Sequence, residues 1–244
     1  MYKTNSNIIQ LALDFPHRPS LGREDFLIAR CNQEAANLIE QWPNWSYFAL
    51  CIYGPSGCGK SHLANVFAAH YANLTNHPYR IPFIRAEQLN IDKCHQLAET
   101  CNCLVIEDLE KLKNEEALFH LYNMFRDEGG HILFTAQEAP ARIPFHLPDL
   151  RSRLNIIPTT EIKAPDDELL SALLVKLFMD RQITPSPEII NYMLSNMQRS
   201  FNFARKLVQE VDNISLARKR AISIPLIKEA ILSLEQESLQ KNLL

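Results

Sequence analysis

Apolar positions recur along this chain in two different rhythms, and the change between them divides it. Near the start, Leu11, Leu13 and Phe15 alternate with Ala12 and Asp14, so an extended backbone would turn all three to one side. A continuous apolar run, Tyr47–Tyr53, has the character of a buried strand, and Leu63, Val66, Phe67 and His70 then follow at helical spacing. Further buried-strand candidates are Pro82–Ile84, Cys103–Ile106, His131–Gln137 and Asn155–Ile162. Between the third and fourth of these five strands, Glu115–Asp127 carries Leu118, Leu121, Tyr122 and Phe125 on one helical face, stopped by Gly129 and Gly130. Strands alternating with helices predict a parallel sheet covered on both faces.

From Asp166 onward only the helical rhythm persists. Leu169, Leu170, Leu173, Leu174, Leu177 and Phe178 form one apolar face. Ser186 followed by Pro187 restarts the chain as a cap with proline in the first turn, ahead of Ile189, Ile190, Met193, Leu194 and Met197. Two more helices are predicted, from about Asn202 to Leu216 and from Pro225 to about Glu237. The expected division is a tail over 1–20, an α/β domain over 21–164 and a small all-helical domain over 165–244.

Composition narrows the classes. The 244 residues are 46% hydrophobic and 22% charged with a formal net charge of −3, which gives no electrostatic case for a dedicated nucleic-acid binder. No apolar run approaches the ~20 residues of a membrane-spanning helix, and "MYKTNSN" lacks the layout of a secretory signal. Six cysteines without a CxxC pair read as reduced thiols, and the expected location is the cytoplasm. A zinc site from His95, Cys101 and Cys103 is the weaker alternative. Trp42 and Trp45 are expected to pack under an edge of the sheet.

The strongest chemical signal follows the first internal strand. Gly54-Pro55-Ser56-Gly57-Cys58-Gly59-Lys60-Ser61 matches GxxxxGK[ST] in full, and holds three of the chain's six glycines. Glycines let backbone N–H groups approach phosphate oxygens, and the following helix offers its positive end. The lysine reaches the β/γ-phosphates and the serine hydroxyl binds Mg²⁺. ADP or ATP with Mg²⁺ is therefore the expected ligand, with the choice between them open. Cys58 reads as a small spacer whose thiol, if exposed, would be oxidation-sensitive. The second acidic strand that such proteins need, to hold the metal and to activate water, is supplied by Cys103–Ile106, which ends in Glu107 and Asp108, the expected metal ligands beside Ser61. Thr135 and Gln137 fall at the C-terminal end of their strand, where ligands meet open parallel sheets, and Thr135 is taken as the sensor.

The order of these pieces resembles the AAA+ ATPases, and more closely the branch containing the replication initiator DnaA. "DFLIARCNQEAANLI" is similar to the segment that precedes the P-loop in that branch, and "GPSGCGKSHL" to its Walker A, His62 included. "DLRSRL" matches its arginine-finger motif and implies a finger at Arg153; "SFNFARKLV" resembles its sensor II helix and implies a phosphate ligand at Arg205. "ISIPLIKEAI" is similar to its closing helix. Read without the resemblance, Arg151 and Arg153 are solvated helix charges and Arg205 is a lid salt-bridge residue. The chain ends soon after the last predicted helix, so the expectation is a module without the C-terminal DNA reader of DnaA, touching DNA only indirectly.

Such a module, with "QLALDF" near its start, looks like the Hda family. That likeness implies a peptide, Gln10, Leu11, Leu13 and Phe15, that docks on the DNA-polymerase sliding clamp, and an ADP-bound protein that makes DnaA hydrolyse its ATP. DnaA and the clamp are the implied partners, and a homodimer is left open. One departure stands out: Glu107 takes the place of the usual Walker B aspartate, while Asp108 keeps the base position. The longer side chain puts direct metal contact in question, and self-hydrolysis is expected to be weak at most. The runner-up is a self-contained P-loop ATPase of helicase-loader type, and for "QLALDF" an edge strand of the fold.

Overall fold

The computed structural model describes residues 26–75 and 81–241, with 237–241 by backbone alone. The predicted clamp peptide, Gln10 to Phe15, lies outside them. Five parallel strands, β1 (Ala49–Tyr53), β2 (Phe83–Arg85), β3 (Cys103–Glu107), β4 (His131–Ala136) and β5 (Thr159–Glu161), form a sheet in the order β2-β3-β4-β1-β5. Inserting β4 between β1 and β3 places the ends of three strands side by side at one rim.

Period-two alternation decides what each face holds. Leu50 and Ile52 of β1, Val105 of β3 and Leu133 of β4 pack with α1 (Gln33–Glu40) and α2 (Lys60–Thr75). Their neighbours Cys51, Leu104, Ile106, Ile132 and Phe134 face the other way, against α3 (Ile91–Thr100), α4 (Glu115–Asp127) and α5 (Pro148–Leu154). Both faces are covered, so the central strands read as unbroken apolar runs. The pattern does not single out α1 and α3. Asn90 and Asn114 cap α3 and α4, accepting from Lys93 N–H and Ala117 N–H. Gly129, at φ 72°, ends α4 in the left-handed conformation that a side chain resists.

Several expected bounds shift. The first strand starts at Ala49, the second runs Phe83–Arg85, and the third takes in Glu107. The fifth shrinks from Asn155–Ile162 to Thr159–Glu161. The cause is α5, which carries the helical path through its C-cap Asn155, followed by Ile157, which is buried in the core, and Pro158, which cannot donate to a strand ladder. The tryptophans also sit elsewhere than expected. Trp42 and Trp45 meet α2 through Phe67 and reach His131, at the N-terminal end of central β4 rather than at a sheet edge.

The C-terminal helices α6 (Asp167–Met179), α7 (Pro187–Asn196), α8 (Phe201–Arg218) and α9 (Ile224–Lys241) enclose a separate core. Leu170, Leu174 and Phe178 face Met193, Leu207, Val211 and Ile227 there. Asp166, Ser186 and Ser200 cap α6, α7 and α8 through their side chains, each cap worth about 1 kcal/mol. No helix among the described residues is long and apolar enough to cross a membrane.

His131 generates a pH dependence. Its ring packs at 5.7 Å from Trp42 and 6.1 Å from Trp45, and burial pushes its pKa below the ordinary value. The unfolded chain therefore binds the proton better, so stability is fullest above about pH 6.5 and falls as the pH drops below it. Thermal melts at about pH 7.5 and about pH 5.5 should show a loss of melting temperature on acidification that is smaller in His131→Phe.

Candidate nucleotide site

The loop between β1 and α2 is built around its glycines. At Gly57, φ is 75°, and a Cβ there would lie 2.2 Å from Ser200 Oγ, the capping oxygen of α8. The Gly57 carbonyl accepts a hydrogen bond from Phe201 N–H at 3.0 Å. The loop and the helical domain thus touch through a backbone contact that only glycine permits.

Between them lies a cavity of about 440 Å³. Phe26 and Leu27 ahead of α1, Leu173 of α6 and Phe201 of α8 make an apolar wall. The Phe26 ring meets the His62 ring edge-on at 5.1 Å. The opposite wall is polar, formed by Ser56, Gly57, Gly59, Lys60 and Ser61 of the loop and by Asp108, Lys111, Gln137, Asn202 and Arg205. Three of its side chains are cations, Lys60, Lys111 and Arg205, against one acid, Asp108. An apolar slot opening onto cations and a helix N-terminus suits a flat heterocycle joined to phosphates.

Local contacts hold this polar wall. Lys60 Nζ donates to the carbonyls of Gly54 at 2.6 Å and Pro55 at 3.0 Å, so the ammonium is held over the loop. Ser61 Oγ donates to Glu107 Oε1 at 2.6 Å. The additional methylene of Glu107 is therefore accommodated: it meets the hydroxyl with which it would share a metal ion. A hydroxyl and a carboxylate in contact are the hard oxygen donors that Mg²⁺ takes. Asp108 follows with φ 57° and ψ 54°, a left-handed conformation that aspartate tolerates. Its N–H donates to Thr135 Oγ1 at 3.3 Å, and its carboxylate pairs with Lys111.

The expected site residues fall into three groups. Ser56, Gly57, Gly59, Lys60, Ser61, His62, Asp108 and Arg205 line the cavity. Gly54, Pro55, Cys58, Glu107 and Thr135 stand behind that lining, with Thr135 buried and turned to the Asp108 backbone. Arg153 lies elsewhere, on α5, its guanidinium 5.1 Å from the Phe119 ring centre and 5.8 Å from that of Tyr122. Cys58 takes the place of a small spacer, and the alternative of an exposed thiol does not hold. It is buried, and that burial raises its pKa despite Lys60 nearby, which opposes thiolate chemistry. Nor do His95, Cys101 and Cys103 assemble: among the described residues no three His, Cys, Asp or Glu side chains group to hold a metal.

Sequence reasoning missed Phe26, Leu27, Leu173, Phe201, Asn202 and Lys111. Lys111 had a local signal, three residues beyond Asp108 in a tight turn. The apolar four look like ordinary core positions until the two domains meet.

Comparison with known proteins follows the same division. The family model described as the bacterial DnaA ATPase domain matches residues 20–160, and that of the Hda lid domain matches residues 166–231. The chromosomal replication initiator protein DnaA of Leifsonia xyli is 24% identical over 226 residues, 85% of this chain and 48% of that protein. The chain thus spans about half the length of the curated relatives it matches. Domain III of Thermotoga maritima DnaA superposes with a TM-score of 0.75 at 21% identity, over 91% of this chain and 98% of that one. AMPPCP-bound DnaA from Aquifex aeolicus gives 0.63 at 18% identity, over 90% and 92%. At these identities the structural likeness carries the fold.

The contact at Gly57 is testable without any ligand. Gly57→Ala should destabilise by about 1–2 kcal/mol from its backbone alone, roughly 2–8 °C in a chain of this size, before any clash is counted. Ser200→Gly in the same chain removes the colliding oxygen and should return part of that loss in a thermal melt, beyond the cost of Ser200→Gly alone. No recovery would show that the two domains do not meet there.

Proposed function

The chain belongs to the family of bacterial DnaA ATPase domains and carries a lid of the Hda type, and from this we propose that it is a nucleotide-bound regulator of DnaA. In this reading it holds ADP in the cavity, docks on the DNA-polymerase sliding clamp, and promotes hydrolysis of the ATP bound to DnaA, restraining initiation in the cytoplasm. Lys60, Arg205 and the loop N–H groups would hold the phosphates, and Ser61 with Glu107 the Mg²⁺. Phe26, Leu27, Leu173 and Phe201 would enclose the base. The bound nucleotide supplies the anion that ties loop to lid.

The position of Arg153 carries the proposal. It is not among the residues lining the chain's own cavity, and its guanidinium rests on Phe119 and Tyr122, an arrangement worth roughly 0.5–1 kcal/mol at a partly exposed site. Glu115 supports the helix that bears it. Its carboxylate accepts from the N–H groups of His146 at 3.0 Å and Leu147 at 2.6 Å, just ahead of α5. Burial pushes this carboxyl's pKa up, but those bonds and the His146 ring outweigh it and hold the group below its ordinary value, ionised at neutral pH. A cation fixed away from its own nucleotide is arranged to act on a neighbour's. A guanidinium at the γ-phosphate of DnaA-bound ATP would stabilise charge as it develops there.

Arg153→Ala should melt within about 1–4 °C of the parent and keep ADP affinity and clamp binding, yet lose stimulation of DnaA-bound ATP hydrolysis. Arginine fingers contribute up to about 10³–10⁵ in rate. Hydrolysis of radiolabelled ATP pre-bound to DnaA measures this, and undiminished stimulation would return Arg153 to the surface charges. Brisk turnover by the unmixed protein would instead favour the self-contained loader-type ATPase.

The tether is tested separately. Leu13 and Phe15 as docking anchors would each contribute about 1.5–3 kcal/mol when buried on a partner. A Leu13→Ala, Phe15→Ala double variant should melt like the parent, bind ADP in calorimetry and lose the clamp in a pulldown. Lower melting temperature with clamp binding intact would assign the strip to the fold.

A further inference from the structure

We propose that Lys111 is a positioning residue that restrains Asp108, so that the protein hydrolyses ATP slowly when ATP, in place of ADP, occupies its cavity. This deepens the reading above and rests on nucleotide binding in the cavity. Asp108 opens a 3-10 turn, Leu109–Lys111, that the chain closes twice. Lys111 N–H donates to the Asp108 carbonyl at 2.8 Å, and Lys111 Nζ donates to Asp108 Oδ2 at 2.9 Å. Both side chains line the nucleotide cavity. The turn is anchored from behind, since Leu109 is fully buried and Glu110 Oε2 accepts Gln137 N–H at 3.1 Å. With its N–H on Thr135 and its carboxylate on Lys111, Asp108 is held at both ends.

The chemistry of hydrolysis shows what this restraint does. As a water oxygen bonds to the γ-phosphorus of a nucleoside triphosphate, the bond from that phosphorus to the bridging oxygen breaks, and the water gives up a proton. Asp108 is the carboxylate placed to take it. The ammonium at 2.9 Å from Oδ2 fixes the direction of the carboxylate and fills the space beside it, so the group is not free to turn to an attacking water. Glu107, the preceding acid, accepts from Ser61 and offers no substitute. The Asp108 contact also raises the Lys111 pKa, so the ammonium stays charged.

Lys111→Met removes the charge while keeping much of the chain's reach. With ATP and Mg²⁺ pre-bound, its single-turnover hydrolysis should rise about fivefold, equivalent to about 1 kcal/mol, the upper end for an exposed pair. Lys111→Arg should stay at the parental rate, and Lys111→Met with Asp108→Asn should lose the gain. A second readout needs no nucleotide: in an NMR titration of the side-chain ammonium, Asp108→Asn should move the Lys111 midpoint down toward that of an ordinary lysine. A Met variant that binds ATP but hydrolyses it no faster overturns the proposal, as does an unmoved Lys111 midpoint. Loss of ATP affinity without a gain in rate would make Lys111 a phosphate ligand and also overturn it. Failure of the parent itself to bind ATP or ADP in calorimetry would overturn the nucleotide reading and the restraint together.

Discussion

The hydrogen bond from Phe201 N–H to the Gly57 carbonyl is the contact on which the site depends. It joins the phosphate-type loop to the first turn of α8, and it forms only because Gly57 carries no side chain where Ser200 presses in. Leu27, ahead of α1, also packs against the core of the helical domain, so the contact at Gly57 acts beside an apolar one. With both, Phe26, Leu173 and Phe201 close over the loop, and Arg205 on the next turn of α8 reaches the same space. The loop therefore lines the cavity and, through the Gly57 carbonyl, holds the first turn of α8.

A second constraint comes from strand order. Because β4 lies between β3 and β1, the acids at the end of β3 stand across β4 from the loop that follows β1. Bridging that gap takes a reaching side chain on one side and a supporting one between. Glu107 reaches Ser61, while Thr135 of β4 supports the Asp108 backbone. A glutamate in this place is thus fitted to the distance. Both acids are thereby occupied, one by a hydroxyl and one by an ammonium.

The α5 segment is arranged by similar means but faces another way. Leu150 and Leu154 bury one side of the short helix in the sheet's second core, and Glu115 fixes its entry from the start of α4. Arg153 is left on the outer side, resting on aromatic rings of α4. The same sheet thus presents a cavity at its rim and a held cation on its flank.

Much of this was determined by the sequence alone. Alternating strands and helices follow from hydrophobic spacing, because a parallel sheet buried on both faces demands apolar runs with helices between them. The loop between β1 and α2 follows from glycine, lysine and serine at set offsets, because such a turn is a local property of the backbone and the adjoining helix. The shift to helical rhythm after Asp166 marked a second unit for the same reason. Local spacing reports which surface is apolar, but not what comes to cover it. Only the tertiary structure therefore made Leu173 and Phe201 cavity walls instead of plain core, and buried Cys58. Strand order, which no stretch of sequence carries, brought Glu107 to Ser61 across β4. The Asp108–Lys111 contact lay within four residues of chain, yet its meaning depended on both side chains opening into a cavity that two distant segments complete.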